Sequence, residues 1–74
     1  MNRHVDRPGL YRNVFYTVGE AAEVLSVSER TIFRRLRDGQ LRRTSANGAL
    51  RIYGADLADY LGIPVERVPV KEAP

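Results

Sequence analysis

A small, mainly helical domain carrying one β-hairpin is the fold class this sequence predicts, and three observations carry the prediction. Its 74 residues, 43% hydrophobic and 28% charged, suit one domain and leave no room for several. Apolar residues recur at helical spacing in three short segments, each bounded by a helix-start or helix-stop signal. Between the second and third of these, β-favouring residues flank Asn47-Gly48, the dipeptide of tight hairpins.

Composition narrows the function classes. A chain this short draws only about 3 to 5 kcal/mol from its core, and with no cysteine it has neither disulfides nor thiolate metal ligands. That usage fits a reducing cytoplasm, which is the expected location. No run approaches ~18 apolar residues and the N-terminus lacks a signal peptide's apolar region, so neither membrane insertion nor export is expected. One histidine and no cysteine leave few combinations of nucleophile and base, and the domain has little room for a substrate pocket. The expectation is a binding module, not an enzyme, with no catalytic residue, metal or cofactor.

Along the chain, Met1–Asn13 shows no sustained period, contains Pro8-Gly9 and reads as a mobile arm. Val14, Phe15 and Tyr16 form a β-favouring run suited to a small strand or to covering the core. Thr17-Val18-Gly19-Glu20 has the form of a capping box, which starts a first helix. Val18, Ala21, Ala22 and Leu25 then fall on one face of it. Ser26-Val27-Ser28 interrupts the period, and Ser28 is a good N-cap for a second helix opened by Glu29. On that helix Ile32 and Leu36 point inward, Phe33 lies at the edge of their stripe, and Arg30, Arg34 and Arg37 project outward. Asp38-Gly39 ends it. A hairpin is expected from Leu41-Arg42-Arg43 and Leu50–Tyr53, and a third helix from Gly54-Ala55-Asp56 with Leu57, Tyr60 and Leu61 as its apolar stripe. Gly62 and Pro64 stop that helix, and Val65–Pro74 reads as an extended tail. The expected organisation is an arm over 1–14, a domain over 15–63 and a tail over 64–74.

Charge is concentrated. The chain carries a net +3, and eleven of its twelve cations are arginine. Between Ser28 and Tyr53 seven arginines stand against Glu29 and Asp38 alone, so this third of the chain is far more basic than the whole. Such a centre between mildly acidic ends points to a polyanion met by one face, and arginine suits bidentate contact with phosphate or guanine.

Two short helices joined by a three-residue turn, the second arginine-rich and followed by a basic hairpin, make a winged helix-turn-helix. The second helix fits a major groove. Its first turn offers amides and the Ser28 hydroxyl to a phosphate, and Arg30 or Arg34 can reach guanine O6 and N7. Arg42, Arg43 and Arg51 on the hairpin are placed for adjacent backbone or the minor groove. Ser26 departs from the pattern, since many such turns use glycine to reach a left-handed conformation. One module of this kind buries only about 600 to 1,000 Å² on DNA, so several copies are expected to act together. With no heptad or long apolar helix for a symmetric dimer, head-to-tail self-association on repeated sites is the expected arrangement.

The run from Tyr16 to Ile32, continuing through Arg37-Asp38-Gly39-Gln40-Leu41 to Asp56-Leu57 and Tyr60-Leu61, resembles the excisionase family of MerR-like winged-helix DNA-binding domains. The resemblance spans roughly Phe15 to Gly62. It implies a small DNA-bending protein without catalytic residues that binds repeated sites near a phage or mobile-element attachment site and directs an integrase towards excision. Stand-alone transcriptional regulators use the same domain, and so does the third possibility, a protein-interaction module on this scaffold. Neither the long dimerising helix nor the effector domain that MerR-type regulators append is expected from these residues, which favours the first. By family position, Ser28, Arg30, Thr31, Arg34 and Arg35 correspond to recognition-helix contacts and Arg42, Arg43 and Arg51 to wing contacts on double-stranded DNA.

Other residues have plainer readings. His4 stands alone in the arm beside Arg3 and Arg7. Asp56 and Asp59, three apart without a histidine partner, suit a helix's first turn better than a metal. Phe33 and Tyr53 are expected to pack beneath the helix and wing, not to stack on bases.

Overall fold

Thr17 opens the first helix as its spacing predicts. A computed structural model describes residues 9–72; in it the Thr17 hydroxyl accepts from the Glu20 amide at 3.1 Å while the Glu20 carboxylate accepts from the Thr17 amide at 2.9 Å. The helix, α1, runs Val18–Leu25 and buries Ala21, Ala22 and Val24. The second, α2, spans Glu29–Arg37 and is capped by Ser28, whose Oγ accepts from the Thr31 amide. A third, α3, covers Gly54–Leu61.

All three helices end alike. After α1 the Val27 amide reaches back to the Ala22 carbonyl and the Ser26 amide to Glu23; after α2, Gln40 reaches Arg35 and Gly39 reaches Leu36; after α3, Ile63 reaches Ala58 and Gly62 reaches Asp59. Each is a Schellman closure around one left-handed residue. Gly39 and Gly62 take φ of 77° and 76°, and Ser26 takes 59°. The position where the sequence departs from glycine therefore adopts the left-handed backbone nonetheless. A serine there carries a steric cost of roughly 1 to 2 kcal/mol that glycine would not.

The sheet has three short antiparallel strands in the order β1-β3-β2. They are β1, Phe15–Tyr16; β2, Thr44–Ala46; and β3, Ala49–Tyr53. Asn47 and Gly48 turn the hairpin with φ of 54° and 80°, as a tight turn of positive φ requires. Register pairs Thr44 with Arg51 and Ser45 with Leu50, and on the other edge Tyr16 with Ile52. The first hairpin strand is thus not Leu41-Arg42-Arg43 but the segment after it. Leu41 is buried in the core beside Ile32, Ile52 and Leu57 and so cannot sit on a projecting ribbon. The fold is a winged helix-turn-helix: three helices and a small sheet about one core.

Two further expectations are corrected. On α3 the inward residues are Leu57 and Ala58, both fully buried, whereas Tyr60 and Leu61 are exposed. Phe33 does not pack beneath the helix either: it is 51% exposed.

The segments expected to be mobile or extended pack against the domain where they are described. Residues 65–67 form a 3-10 turn and Val68 is buried. The Arg12 amide donates to the Pro69 carbonyl at 3.0 Å, and the Asn13 side chain both donates to the Lys71 carbonyl and accepts from its amide. Lys71 Nζ lies 5.7 Å from the centre of the Tyr11 ring. Of the expected arm, residues 1–8 lie outside the described residues, as do 73 and 74 of the expected tail.

Tyr16 holds the N-terminal segment in place. Its ring is buried in the core while its hydroxyl accepts from the Tyr11 amide and donates to the Gly9 carbonyl, both at 2.8 Å. Burial raises its pKa above the ordinary tyrosine value. A phenol favoured in its neutral form stabilises the fold fully below the unfolded pKa of about 10, and that contribution is lost as pH rises through the higher folded value. Tyr16→Phe leaves an amide and a carbonyl without their partner and is expected to cost about 1 to 3 kcal/mol at neutral pH. In denaturant melts the gap from wild type should hold between pH 7 and 9 and narrow above pH 10. A gap that stays constant to pH 11 would refute this account.

Candidate nucleic-acid interface

The helix-turn-helix puts α2 at the surface with its cations outward. Ile32 anchors it at zero exposure, so at about 100° per residue Arg30, Arg34 and Arg37 must emerge on the far side, and all three are exposed. Together with Phe33 they line a shallow cleft of about 250 Å³. Arg34, Arg35 and Arg37 occupy the last turn, where they also complement the negative end of the helix dipole. That effect accounts for no charge at Arg30, Arg42 or Arg43. The ion pair of Arg37 with Asp38, 3.6 Å long and exposed, is too weakly coupled to neutralise the array.

The remaining predicted residues are distributed less uniformly. Ser28 and Thr31 engage each other: besides the cap, their hydroxyl oxygens lie 3.1 Å apart. Ser28 Oγ is thus already an acceptor within the cap, and what the pair can still offer an anion is a hydroxyl proton and the first-turn amides. Arg35 is half-buried, and its Nε donates to the Tyr60 hydroxyl at 2.9 Å, strapping α2 to α3. Tyr60, which helical spacing assigns to the apolar stripe of α3, instead presents a polar tip that holds one of the predicted contact arginines. No sequence period signals that bond, because it joins residues 25 apart.

Arg42 and Arg43 are exposed on the connection between α2 and β2. They share a groove of about 400 Å³ with Leu36, Gly39, Gln40, Leu41, Asp56 and Asp59. Carboxylates of α3 therefore lie along the wall of the same groove and lower the local positive potential there. Arg51, on β3, is half-buried, and its terminal nitrogen donates to the Leu50 carbonyl at 2.8 Å. Arg30 and Arg34 are thus the predicted residues brought together on one open surface, and Arg37 and Phe33 join them. The spacing of Arg37, three after Arg34 and seven after Arg30, sets it on the outward side in the sequence too, although the family positions do not include it among the contacts.

Among the described residues no three His, Cys, Asp or Glu side chains group closely enough to hold a metal ion, and no helix is long and apolar enough to cross a membrane. No curated protein and no solved structure matches the chain. Residues 15–65 match the family model described as a helix-turn-helix domain, a family that includes excisionase-like DNA-binding proteins. With most of its length inside that match, the chain belongs to the helix-turn-helix domain family and carries a DNA-binding domain.

Proposed function

We propose that the protein is a sequence-specific, DNA-bending accessory factor of the excisionase class, which binds repeated sites near the attachment site of a phage or mobile element and directs an integrase towards excision in the host cytoplasm. The observation that carries the DNA-binding part is the open face of α2, where Arg30, Arg34 and Arg37 converge beside one cleft. Arg30 or Arg34 would take guanine O6 and N7 bidentately, and Ser28 and Thr31 would approach a phosphate from the first turn. Arg35, held by Tyr60, would meet the backbone from a fixed position, while Arg42, Arg43 and Arg51 would fix the register of the wing side on the duplex.

What favours an excisionase over a regulator is the path of the chain after α3. Instead of continuing as a helix that could pair with a second copy, it turns through residues 65–67 and bonds back to Arg12 and Asn13. Extra copies would then gather head to tail on direct repeats, and their bends would accumulate. Sedimentation is expected to give a monomer without DNA, and titration onto a duplex with several direct repeats to give steep loading with increasing bend. A stable free dimer that fills an inverted repeat in one step would move the assignment to a dimeric transcriptional regulator.

A further inference from the structure

Phe33 has no evident purpose in the fold. Its neighbour Ile32 is fully buried and supplies the helix's hold on the core, whereas Phe33 is 51% exposed. A lone exposed apolar side chain is ordinary. This one lies in the cleft that Arg30, Arg34 and Arg37 line, so a large apolar ring is set among charged side chains. It follows Arg30 by three residues and precedes Arg37 by four, which places all three along one side of the helix within about one turn either way. Three residues of helix advance about 4.5 Å, close to the roughly 3.4 Å step between base pairs. A base pair next to the one met by Arg30 or Arg34 is therefore within reach of the ring.

A phenyl ring can neither donate nor accept a conventional hydrogen bond. Among major-groove base edges one group is apolar, the C5-methyl of thymine. Resting on the proposal that α2 reads DNA, we propose that Phe33 is a specificity-determining contact that recognises a thymine methyl group beside the base pair read by Arg30 or Arg34. Arginine alone selects guanine and leaves the neighbouring pair undetermined; the ring adds a preference for thymine there by burying the methyl against its face or edge. Having two side-chain torsions, Phe33 also loses less rotational freedom on contact than the arginines around it.

Removing one methyl from the DNA isolates this contact. The full chain is used to select duplexes from a random pool, and each thymine of the selected site is replaced in turn by deoxyuridine, which lacks only that methyl. Wild type is expected to lose roughly fourfold in affinity at one thymine position, the factor that burial of a methyl-sized group produces. Phe33→Ala should bind the thymine duplex with about the same loss and be indifferent to deoxyuridine at that position. Phe33→Leu should recover part of the discrimination. An unchanged thermal melt for Phe33→Ala would confirm that the exposed ring is not needed for folding. The proposal is overturned if no thymine position responds in wild type, if Phe33→Ala keeps the full deoxyuridine penalty, or if Phe33→Ala weakens thymine and deoxyuridine duplexes alike while wild type does not distinguish them, as a stacking wedge would. A wild-type chain that selects no duplex would instead bring down the DNA-binding proposal on which this one rests.

Discussion

Raising monovalent salt from 50 to 200 mM should weaken binding to a cognate duplex by several hundred-fold. Each phosphate neutralised contributes a slope of about −0.9 in log affinity against log salt, so four to six contacts give a slope of about −4 to −5. The arginines of α2 and of the connection to the wing supply contacts in that number: Arg30, Arg34, Arg37, Arg42 and Arg43 are all exposed. Arg35 and Arg51, each partly committed to a neighbour within the protein, should add less. The carboxylates of Asp56 and Asp59 along the groove of Arg42 and Arg43 should keep the slope from exceeding the arginine count. Fluorescence anisotropy at five salt concentrations measures it. A slope shallower than about −1 would remove this face as the DNA-binding surface.

Gly54→Ala is expected to destabilise the domain by about 2 to 3 kcal/mol, a large part of the ~3 to 5 kcal/mol that a chain of this size commands. Alanine at an ordinary helix start usually helps, by about 0.4 to 1 kcal/mol. Here the added methyl would coincide with the Tyr11 carbonyl, a backbone group that cannot swing aside. Moving it would break the bonds from Gly54 to Val14 and from Ala55 to Arg12, and with them the hold of residues 9–13 on the sheet. Gly39→Ala provides the contrast. It has open space but a φ of 77°, so it should cost only the left-handed strain of about 1 to 2 kcal/mol. Chemical denaturation of both variants tests the ranking. If Gly54→Ala is as stable as wild type, the close approach of the two segments is not a feature of the folded protein in solution.

The helices were legible because their signals are local. Thr17 and Glu20, Ser28, Gly39 and Gly62 each act within four residues, and capping chemistry at that range does not depend on the rest of the chain. The hairpin turn was legible for the same reason, since two successive positive φ angles restrict the residues allowed. The first wing strand was misplaced because Leu41 looks equally apt for a strand and for a core plug, and only the neighbouring Ile32 and Leu57 decide between them. The packing of residues 9–13 and 65–72 is not legible, because an aperiodic, proline-containing segment carries no sign of a partner distant in sequence. The bonds of Asn13 span 58 residues. At the candidate interface, charge and helical phase place Arg30 and Arg34 on the exposed side of α2, whereas the ties of Arg35 to Tyr60 and of Arg51 to Leu50 depend on side-chain paths that composition does not encode. Phe33, at the edge of the inward stripe, reads as a packing residue because phenylalanine usually is one, and its exposure is set by the helix's rotation about Ile32.

The stitching of Asn13 to Lys71 has a topological consequence. Because residues 12 and 13 bond to residues 69 and 71, the first and last described segments lie side by side and the domain is close to a ring. A short linker joining the ends and a new opening at Asn47-Gly48, an exposed turn, would give a circular permutant with the same helices, the same buried residues and the same arginine face. Residues 12 and 13 on one side and 69 and 71 on the other lie at one clasp. Cargo joined at either end would therefore be carried past the same corner of the protein.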